Sequence, residues 1–268
     1  MQYSELHCIT NFTFLRGASH PYELVNTASK LGYKALAITD ECSLSGIVKA
    51  HVAASKKNLQ LIIGSEFKIE SHKIIILVTN RDSYSKLSSL ITLARRRSKK
   101  GKYQIRWSDL KFNNDGLLIL WIPCGDLTRD RLIASQLHEW FDQRLWIAFH
   151  NVLNGNETCR LSYLQNLSIS WKIQIVACGD IHMHRKNRQL LQDTLTAIRE
   201  GCSLMELGKF RYPNCERYLR KINYLKEIYP SELINETTKI SRLCRFSLNE
   251  LHYEYPLEVI PKNLTSKE

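Results

Sequence analysis

The chain has 268 residues, 44% of them hydrophobic, which is enough for one large core or two modest ones and argues against a disordered protein. Its longest apolar run, 117–123, is far shorter than the roughly 20 residues of a membrane-spanning helix, and its first residues lack a signal-peptide pattern. Its 38 Lys and Arg residues exceed its 26 Asp and Glu residues and give a net charge of +12. We therefore expect a soluble, cytoplasmic protein with no membrane partner and with affinity for polyanions.

Apolar, β-branched runs alternate with segments of helical period along the first two thirds of the chain. This alternation is typical of βα units around a parallel sheet, that is, of an α/β fold. Strands are predicted at 4–10, 35–39, 60–69, 73–79, 116–123, 144–150 and 172–178. Helices are predicted at 21–31, 44–57, 83–99, 128–141, 157–170 and 189–200.

The pattern changes near Pro213, after which two short helices are predicted at 218–228 and 231–244. We interpret residues 1–210 as the barrel and residues 211–268 as a helical extension, not as an eighth barrel unit. The eight cysteines are dispersed without a CxxC pair, which favours free thiols in a reducing compartment. His184 follows Met183 in a basic loop and is expected at the surface.

A run of cationic side chains follows the third predicted helix. Its members are Arg95, Arg96, Arg97, Lys99, Lys100 and Lys102. Such a run can neutralise the phosphates of DNA without reading its sequence, but an isolated run of charge is more often a solvated helix end. Both interpretations are open at this point.

Histidines and acids stand at or near the ends of the predicted strands. These candidate metal ligands are His7, Asp40, Glu66, Asp180 and His182. Because the carboxyl ends of parallel strands converge on one mouth of a barrel, scattered ligands can meet there. Imidazole and carboxylate ligands suit Zn, Mn or Fe, and a pair of such ions can activate water against a phosphoester.

Four stretches together resemble the PHP domain, the fold of polymerase-associated and histidinol phosphatase proteins. They are 5–18 (ELHCITNFTFLRGA), 35–46 (ALAITDECSLSG), 62–67 (IIGSEF) and 176–182 (VACGDIH). Within that superfamily the phrases NFTFLRGASHP, GDIHMH, QDTLTAIREG and FSLNELHYEYPLEVIP are similar to the N-terminal domain of bacterial error-prone C-family DNA polymerases. The resemblance runs from Tyr3 to Pro261.

The resemblance implies a distorted seven-stranded (β/α) barrel whose mouth, in active members, holds up to three metal ions. By position, His7 matches the first histidine of the HxH motif, Asp40 matches the aspartate of the second motif, and Glu66 matches the family's glutamate. Asp180 and His182 match the final DxH motif. Cys124 and His150 fall close to positions that carry ligands in some members.

Four departures from the family pattern weaken the predicted metal centre. Ile9 replaces the second histidine of HxH, Arg16 replaces an acid, Glu41 replaces a histidine, and Lys73 stands at a position that can be histidine. An alkyl group offers no lone pair, and cationic side chains repel metal ions. A complete multinuclear centre is therefore not expected.

Two states of the five remaining residues are open. They hold one weakly bound Zn or Mn ion, or hydrogen bonds and salt bridges satisfy them, with Arg16 and Lys73 neutralising the carboxylates. We favour the second state.

The resemblance implies that the chain is the N-terminal PHP domain of an error-prone DNA polymerase for damage-induced translesion synthesis. The Mg-binding palm, with the fingers and thumb, would lie outside this chain. We expect the chain alone to be inactive and structural, with DNA, those polymerase domains and translesion accessory proteins as partners.

The rival hypothesis is a stand-alone, metal-dependent phosphoesterase or 3′-5′ exonuclease. A third, a basic module that binds DNA without catalysis, overlaps with the first.

Overall fold

The computed structural model of the chain describes residues 2–112 and 114–251, and within them seven strands form one sheet in chain order. The strands are β1 (Ser4–Glu5), β2 (Ala35–Ile38), β3 (Gln60–Ile69), β4 (His72–Val78), β5 (Leu117–Ile122), β6 (Leu145–His150) and β7 (Gln174–Cys178). The helices are α1 (Pro21–Lys30), α2 (Ile47–Ala54), α3 (Arg81–Arg96), α4 (Leu127–Phe141), α5 (Glu157–Trp171), α6 (Gln189–Glu200), α7 (Ile222–Ile228) and α8 (Ser231–Leu243). This α/β barrel confirms the predicted fold class. Within the described ranges, every helix falls short of the length and hydrophobicity that a bilayer-crossing segment requires.

The barrel closes between the segments that follow its first and last strands. The Ile9 amide donates to the Ile181 carbonyl at 2.9 Å, and the Ile181 amide donates to the His7 carbonyl at 2.9 Å. The buried Glu5 carboxylate reinforces this seam, because it accepts the amides of His7 at 3.0 Å and Gly179 at 2.9 Å. The closure therefore places the segment at residue 7 beside the segment at residue 180.

The sheet is mixed and not parallel throughout, because β4 runs antiparallel to both β3 and β5. The prediction of a parallel sheet is wrong at this strand. Only Glu70 and Ser71 separate β3 from β4, whereas a parallel connection needs about a dozen residues or more. Glu70 adopts a left-handed conformation, with φ of 54°, and so helps to turn the chain back on itself.

The inside of the barrel is packed with apolar side chains and plugged at one end by α8. This inner core comprises Leu6, directly after β1, and the strand residues Ala35, Ala37, Ile62, Ile75, Leu77, Leu118, Leu120, Trp146, Ala148, Val176 and Cys178. Ile240 of α8 and Cys244 belong to the same cluster. The amide of Ser4 donates to Thr237 of α8 at 3.1 Å, so this helix covers the end of the barrel at which the parallel strands begin. The opposite mouth of the barrel is therefore the one at which functional residues can gather.

The predicted division at residue 210 stays a prediction, although α8 contributes to the inner core. The predicted helix at 218–228 begins only at Ile222, because Tyr218 is extended and pairs with Met183. The surface position predicted for His184 is wrong, since its ring is buried and its Nδ1 lies 2.8 Å from the Ser19 hydroxyl. The last part of the family resemblance, residues 252–261, lies outside the described residues.

If α8 is an integral part of the barrel, then shortening Ile240 should destabilise the whole domain. Ile240 is completely buried, so Ile240→Ala should lower the free energy of unfolding by about 2–4 kcal/mol, through lost burial and a residual cavity. The matched control is Ile169→Ala in α5, where the side chain is 77% exposed, and its effect should stay below about 0.5 kcal/mol. Denaturant unfolding followed by circular dichroism measures both. Equal, small effects would show that α8 is not part of the cooperative core.

Candidate metal centre

Alternation along the strands places polar side chains above the apolar core. Glu66 shares the inner face of β3 with Ile62, and Lys73 shares the inner face of β4 with Ile75, because side chains two residues apart point to the same side of a strand. His150 ends β6 on the face that carries Ala148. The barrel itself therefore brings a carboxylate, an ammonium group and an imidazole to one mouth.

His7 is the centre of this group. Its Nε2 lies 2.7 Å from Oε2 of Glu66, and its Nδ1 lies 3.0 Å from Nε2 of His150 and 3.5 Å from Oδ1 of Asp180. A neutral His7 that donates from Nε2 to Glu66 leaves Nδ1 to accept the Nε2 proton of His150. Both ring nitrogens of His7 are then engaged within the protein.

Burial keeps the histidines of the mouth neutral. It lowers the pKa of His7, although the adjacent Glu66 carboxylate opposes the shift. Burial, together with the neighbouring His7 and the charge on Lys73, holds the pKa of His150 well below its ordinary value. Burial and the charges on Arg16 and Lys73 do the same for His182. Neutral imidazoles are the form that can bind a metal ion, but also the form that tolerates nearby cations.

Three cations contact the carboxylates of the mouth. Arg16 forms ion pairs with both Glu41 and Glu66, and Nζ of Lys73 lies 3.4 Å from Oε2 of Glu66. Burial alone would raise the pKa of Glu66, but Lys73 and Arg16 hold it well below its ordinary value. The charge of this buried carboxylate is therefore balanced by protein groups.

The carboxylate of Asp180 is balanced in the same way. Arg217 forms an ion pair with its Oδ2, and the Arg217 guanidinium also lies over the ring of Tyr212, 4.6 Å from its centroid. The other oxygen of Asp180 lies 3.2 Å from Nε2 of His182, whose ring meets Tyr212 edge-on. Asp180 itself has a left-handed backbone, with φ of 49°, which turns the chain into the mouth directly after β7.

Asp40 does not join this group. Its carboxylate accepts the amide of Thr10 at 2.7 Å, the hydroxyl of Thr10 at 2.8 Å and the hydroxyl of Thr13 at 2.7 Å. Burial raises the pKa of Asp40, and these hydrogen bonds oppose the shift. Asp40 therefore fixes the loop at 10–13, and Arg16 follows shortly after this loop and reaches the mouth.

The structure thus brings together His7, Glu66 and Asp180, whose ligand atoms lie within 4.8 Å of one another, with His150 and His182 beside them. Cys124 lies elsewhere, in a second group with His72 and Asp130. These two are the groups of three or more metal-capable side chains among residues 2–112 and 114–251.

Sequence reasoning missed Arg217, His72 and Asp130. Arg217 lies far beyond the last strand, and its carbonyl accepts the amides of His182 and Met183 at 3.0 and 3.2 Å. No spacing or local motif marks such a contact. His72 could have been noticed in the sequence, because it directly precedes Lys73, where a strand is predicted to begin.

The donor types at the mouth suit a transition metal, but the arrangement does not fit a multinuclear centre. Ile9 offers no ligand atom, both nitrogens of His7 have partners, and Arg16 occupies the space between two carboxylates. A cation that entered would have to displace other cations.

The basic segment, which is the run of cationic side chains at 95–102, borders the same mouth. Arg95 donates to the carbonyls of Glu41 and Cys42 at 3.1 Å each, and Tyr103 donates to the Glu41 carboxylate at 2.8 Å. Arg97 pairs with Asp109. The remaining members of the run, Arg96, Lys99, Lys100 and Lys102, are exposed.

The family model of the PHP domain matches residues 5–145. Error-prone DNA polymerases from Methylococcus capsulatus, Saccharophagus degradans and Pseudomonas aeruginosa are 47%, 46% and 45% identical to this chain, over 97–99% of its length. The chain spans only about a quarter of the length of these relatives (25%, 26% and 25%) and matches their N-terminal regions.

Two solved structures share the fold. A protein from Bifidobacterium adolescentis assigned as a metal-dependent phosphoesterase is 18% identical, with a TM-score of 0.52 over 85% of this chain and 95% of that one. An amidohydrolase from Chromobacterium violaceum, solved with bound sulfate and no metal, is 14% identical, with a TM-score of 0.52 over 68% and 88%. Since the PHP model matches more than half of the sequence, including His7, Asp40 and Glu66, the chain belongs to the PHP domain family.

Proposed function

We propose that this chain acts as the N-terminal PHP domain of an error-prone DNA polymerase and that its role there is architectural. The similarity to the N-terminal regions of such polymerases, along nearly the whole chain, supports the placement. The observation that carries the architectural role is the set of three cations, Arg16, Lys73 and Arg217, in contact with the carboxylates of the mouth. On this proposal the palm, fingers and thumb, with their Mg ions, would belong to the part of the polymerase that this chain does not span.

An ion-paired mouth can serve the polymerase mechanically. Arg16 belongs to the loop after β1, Lys73 to β4 and Arg217 to the segment before α7, and their carboxylate partners lie on or next to β2, β3 and β7. The network therefore ties together the segments that a metal cluster would otherwise bridge. DNA, the polymerase domains and translesion accessory proteins are the partners that this proposal implies, and a cytoplasmic location goes with them.

The rival function is hydrolysis of a phosphoester by a metal ion at His7, Glu66 and Asp180, either on a metabolite or at a DNA 3′ end. The close approach of these three ligand atoms supports it. A single Zn or Mn ion is the most that this donor set can hold. Catalysis also needs an open coordination position, and the cations at the mouth compete for the oxygens that would bind the ion.

A double-mutant cycle tests whether the ion pairs hold the mouth together. Arg16→Gln should lower the free energy of unfolding by about 2–4 kcal/mol, because it leaves the buried Glu66 with fewer cations. In the Arg16→Gln and Glu66→Gln double variant the loss should be smaller than the sum of the two single losses, by about 1–3 kcal/mol. Chemical denaturation measures all the variants.

The control for this cycle is the Lys86 and Asp82 pair of α3, in which the Asp82 side chain is 70% exposed. Its coupling energy should be about 0.5 kcal/mol or less. A mouth pair no stronger than this surface pair would contradict the architectural proposal.

The absence of hydrolysis is testable directly. Purified chain, loaded with Mn²⁺ or Zn²⁺, should release no more p-nitrophenol from p-nitrophenyl phosphate, and no more nucleotide from 3′-labelled single-stranded DNA, than Glu66→Gln does. Hydrolysis that rises with added metal up to one equivalent, and that is lost in Glu66→Gln, would establish the rival function instead. The variant prepared in parallel also controls for contaminating phosphatases.

Contact with DNA should come from the exposed members of the basic segment. Replacing Lys99, Lys100 and Lys102 by Ala should weaken binding to an arbitrary duplex and reduce the slope of log K against log salt by up to about 3, since each neutralised phosphate contributes about 0.9. Fluorescence anisotropy between low and moderate salt measures the slope. The control replaces Lys56, Lys57 and Lys239, which are exposed on other parts of the chain. An unchanged slope in the first variant would remove this segment from the interface.

A further inference from the structure

A second group of metal-capable side chains lies on the outer side of the barrel wall. It comprises His72 at the start of β4, Cys124 in the loop after β5, and Asp130 in the first turns of α4. One ligand atom from each residue lies within 4.8 Å of the other two. His72 and Lys73 are consecutive strand residues and point to opposite faces, so this outer group is separated from the mouth by the wall itself.

The His72 ring brings its Nδ1 between Trp121 and Asp130. The indole Nε1 of Trp121 can only donate, and it lies 3.3 Å from Nδ1 of His72. Nδ1 also lies 3.4 Å from Oδ1 of Asp130. In the tautomer that accepts the Trp121 hydrogen bond, no proton lies between Nδ1 and Oδ1, and a cation that takes the single lone pair of Nδ1 replaces that hydrogen bond and binds both atoms.

The carboxylate of Asp130 is held in position by its own hydrogen bonds. It accepts the amide of Cys124 at 2.9 Å, the amide of Gly125 at 2.8 Å and the hydroxyl of Tyr163 at 2.5 Å. The last two bonds use Oδ2, so Oδ1 accepts only one of the three and retains a lone pair on the side of His72. Bonds of this kind orient carboxylate ligands in metal sites.

Burial and access also suit a bound ion. His72 is 2% exposed, and the rings of Trp121 and Trp107 pack against it, with centroids 6.0 and 5.6 Å away. Cys124 is only partly buried, so the outer group borders solvent on this side. Burial lowers the pKa of the His72 imidazole, against the opposing charge of Asp130, and so preserves its lone pair.

We propose that His72, Cys124 and Asp130 bind one divalent transition-metal ion, with Zn²⁺ the ion that the donors fit best. A nitrogen, a sulfur and an oxygen ligand are the mixture that Zn²⁺ accepts in four-coordinate sites, and water completes the fourth position. On binding, the Cys124 thiol gives up its proton to solvent, and the thiolate and the Asp130 carboxylate balance the charge of the ion. The ion joins the beginning of β4, the loop after β5 and the first turns of α4.

Cobalt is the probe for this site, because Co²⁺ bound to a thiolate gives a charge-transfer band in the near ultraviolet and d–d bands in the visible. Titration of the 268-residue chain should give these bands at one equivalent. They should disappear in Cys124→Ser and in His72→Gln, and persist in Cys159→Ser, whose thiol is exposed on α5. No thiolate band in the unmodified chain, or a band that survives in Cys124→Ser, would overturn the proposal.

The same titration separates this site from the mouth. Glu66→Gln, which removes the carboxylate at the mouth, should leave the bands unchanged, and bands that depend on Glu66 would overturn the proposal. A second measurement needs no variant: Zn²⁺ should slow alkylation of Cys124 by iodoacetamide at least tenfold while leaving Cys159 unaffected, as judged by peptide mass. Equal protection of both cysteines, or of neither, would also overturn it.

Discussion

The buried carboxylate of Glu66 is the constraint on which the mouth of this barrel depends. It lies in the wall of the barrel, about 1% exposed, and stays ionised only because a histidine, a lysine and an arginine approach it. An isolated buried carboxylate would be costly, so removing these partners without removing Glu66 would leave a strongly unfavourable charge. In a metal-binding PHP domain, cations from solution would perform this task. Here the chain supplies them itself.

These ion pairs give the mouth contacts that need no metal ion. Arg16 reaches both Glu41 and Glu66, so one guanidinium links the loop after β2 to the middle of β3. Arg217 brings the segment before α7 onto Asp180, next to the seam that closes the barrel. These contacts span elements distant in sequence, and each is local in space. The mouth can therefore hold the barrel together whether or not it once had a chemical role.

The sequence predicted the strands and helices of the barrel well, because hydrophobic periodicity depends only on neighbouring residues. Apolar runs such as 117–123 can be recognised without knowledge of the rest of the chain, and seven strands were placed from them. The antiparallel β4 was missed, although the two residues before His72 were already too few for a crossover. The partners of Asp40 and the arrival of Arg217 were beyond reach, because they depend on how loops pack after folding. Motif matching placed Asp40 and Cys124 with His7, whereas neither belongs to the group of close metal-capable side chains that contains His7.

The two groups of metal-capable side chains differ in one physical respect that decides how each is interpreted. At the mouth, Glu66 and Asp180 both have an arginine within ion-pair distance, and Glu66 also has a lysine. At the outer group, the only ion-pair partner of Asp130 among the described residues is the ring of His72, whose Nδ1 lies 3.3 Å from the donor Nε1 of Trp121. The carboxylates of the mouth are thus paired with arginine and lysine side chains, whereas Asp130 is held by two amides and the Tyr163 hydroxyl and has no arginine or lysine within ion-pair distance in the described part of the chain. An ion that binds at the outer group therefore displaces no paired cation.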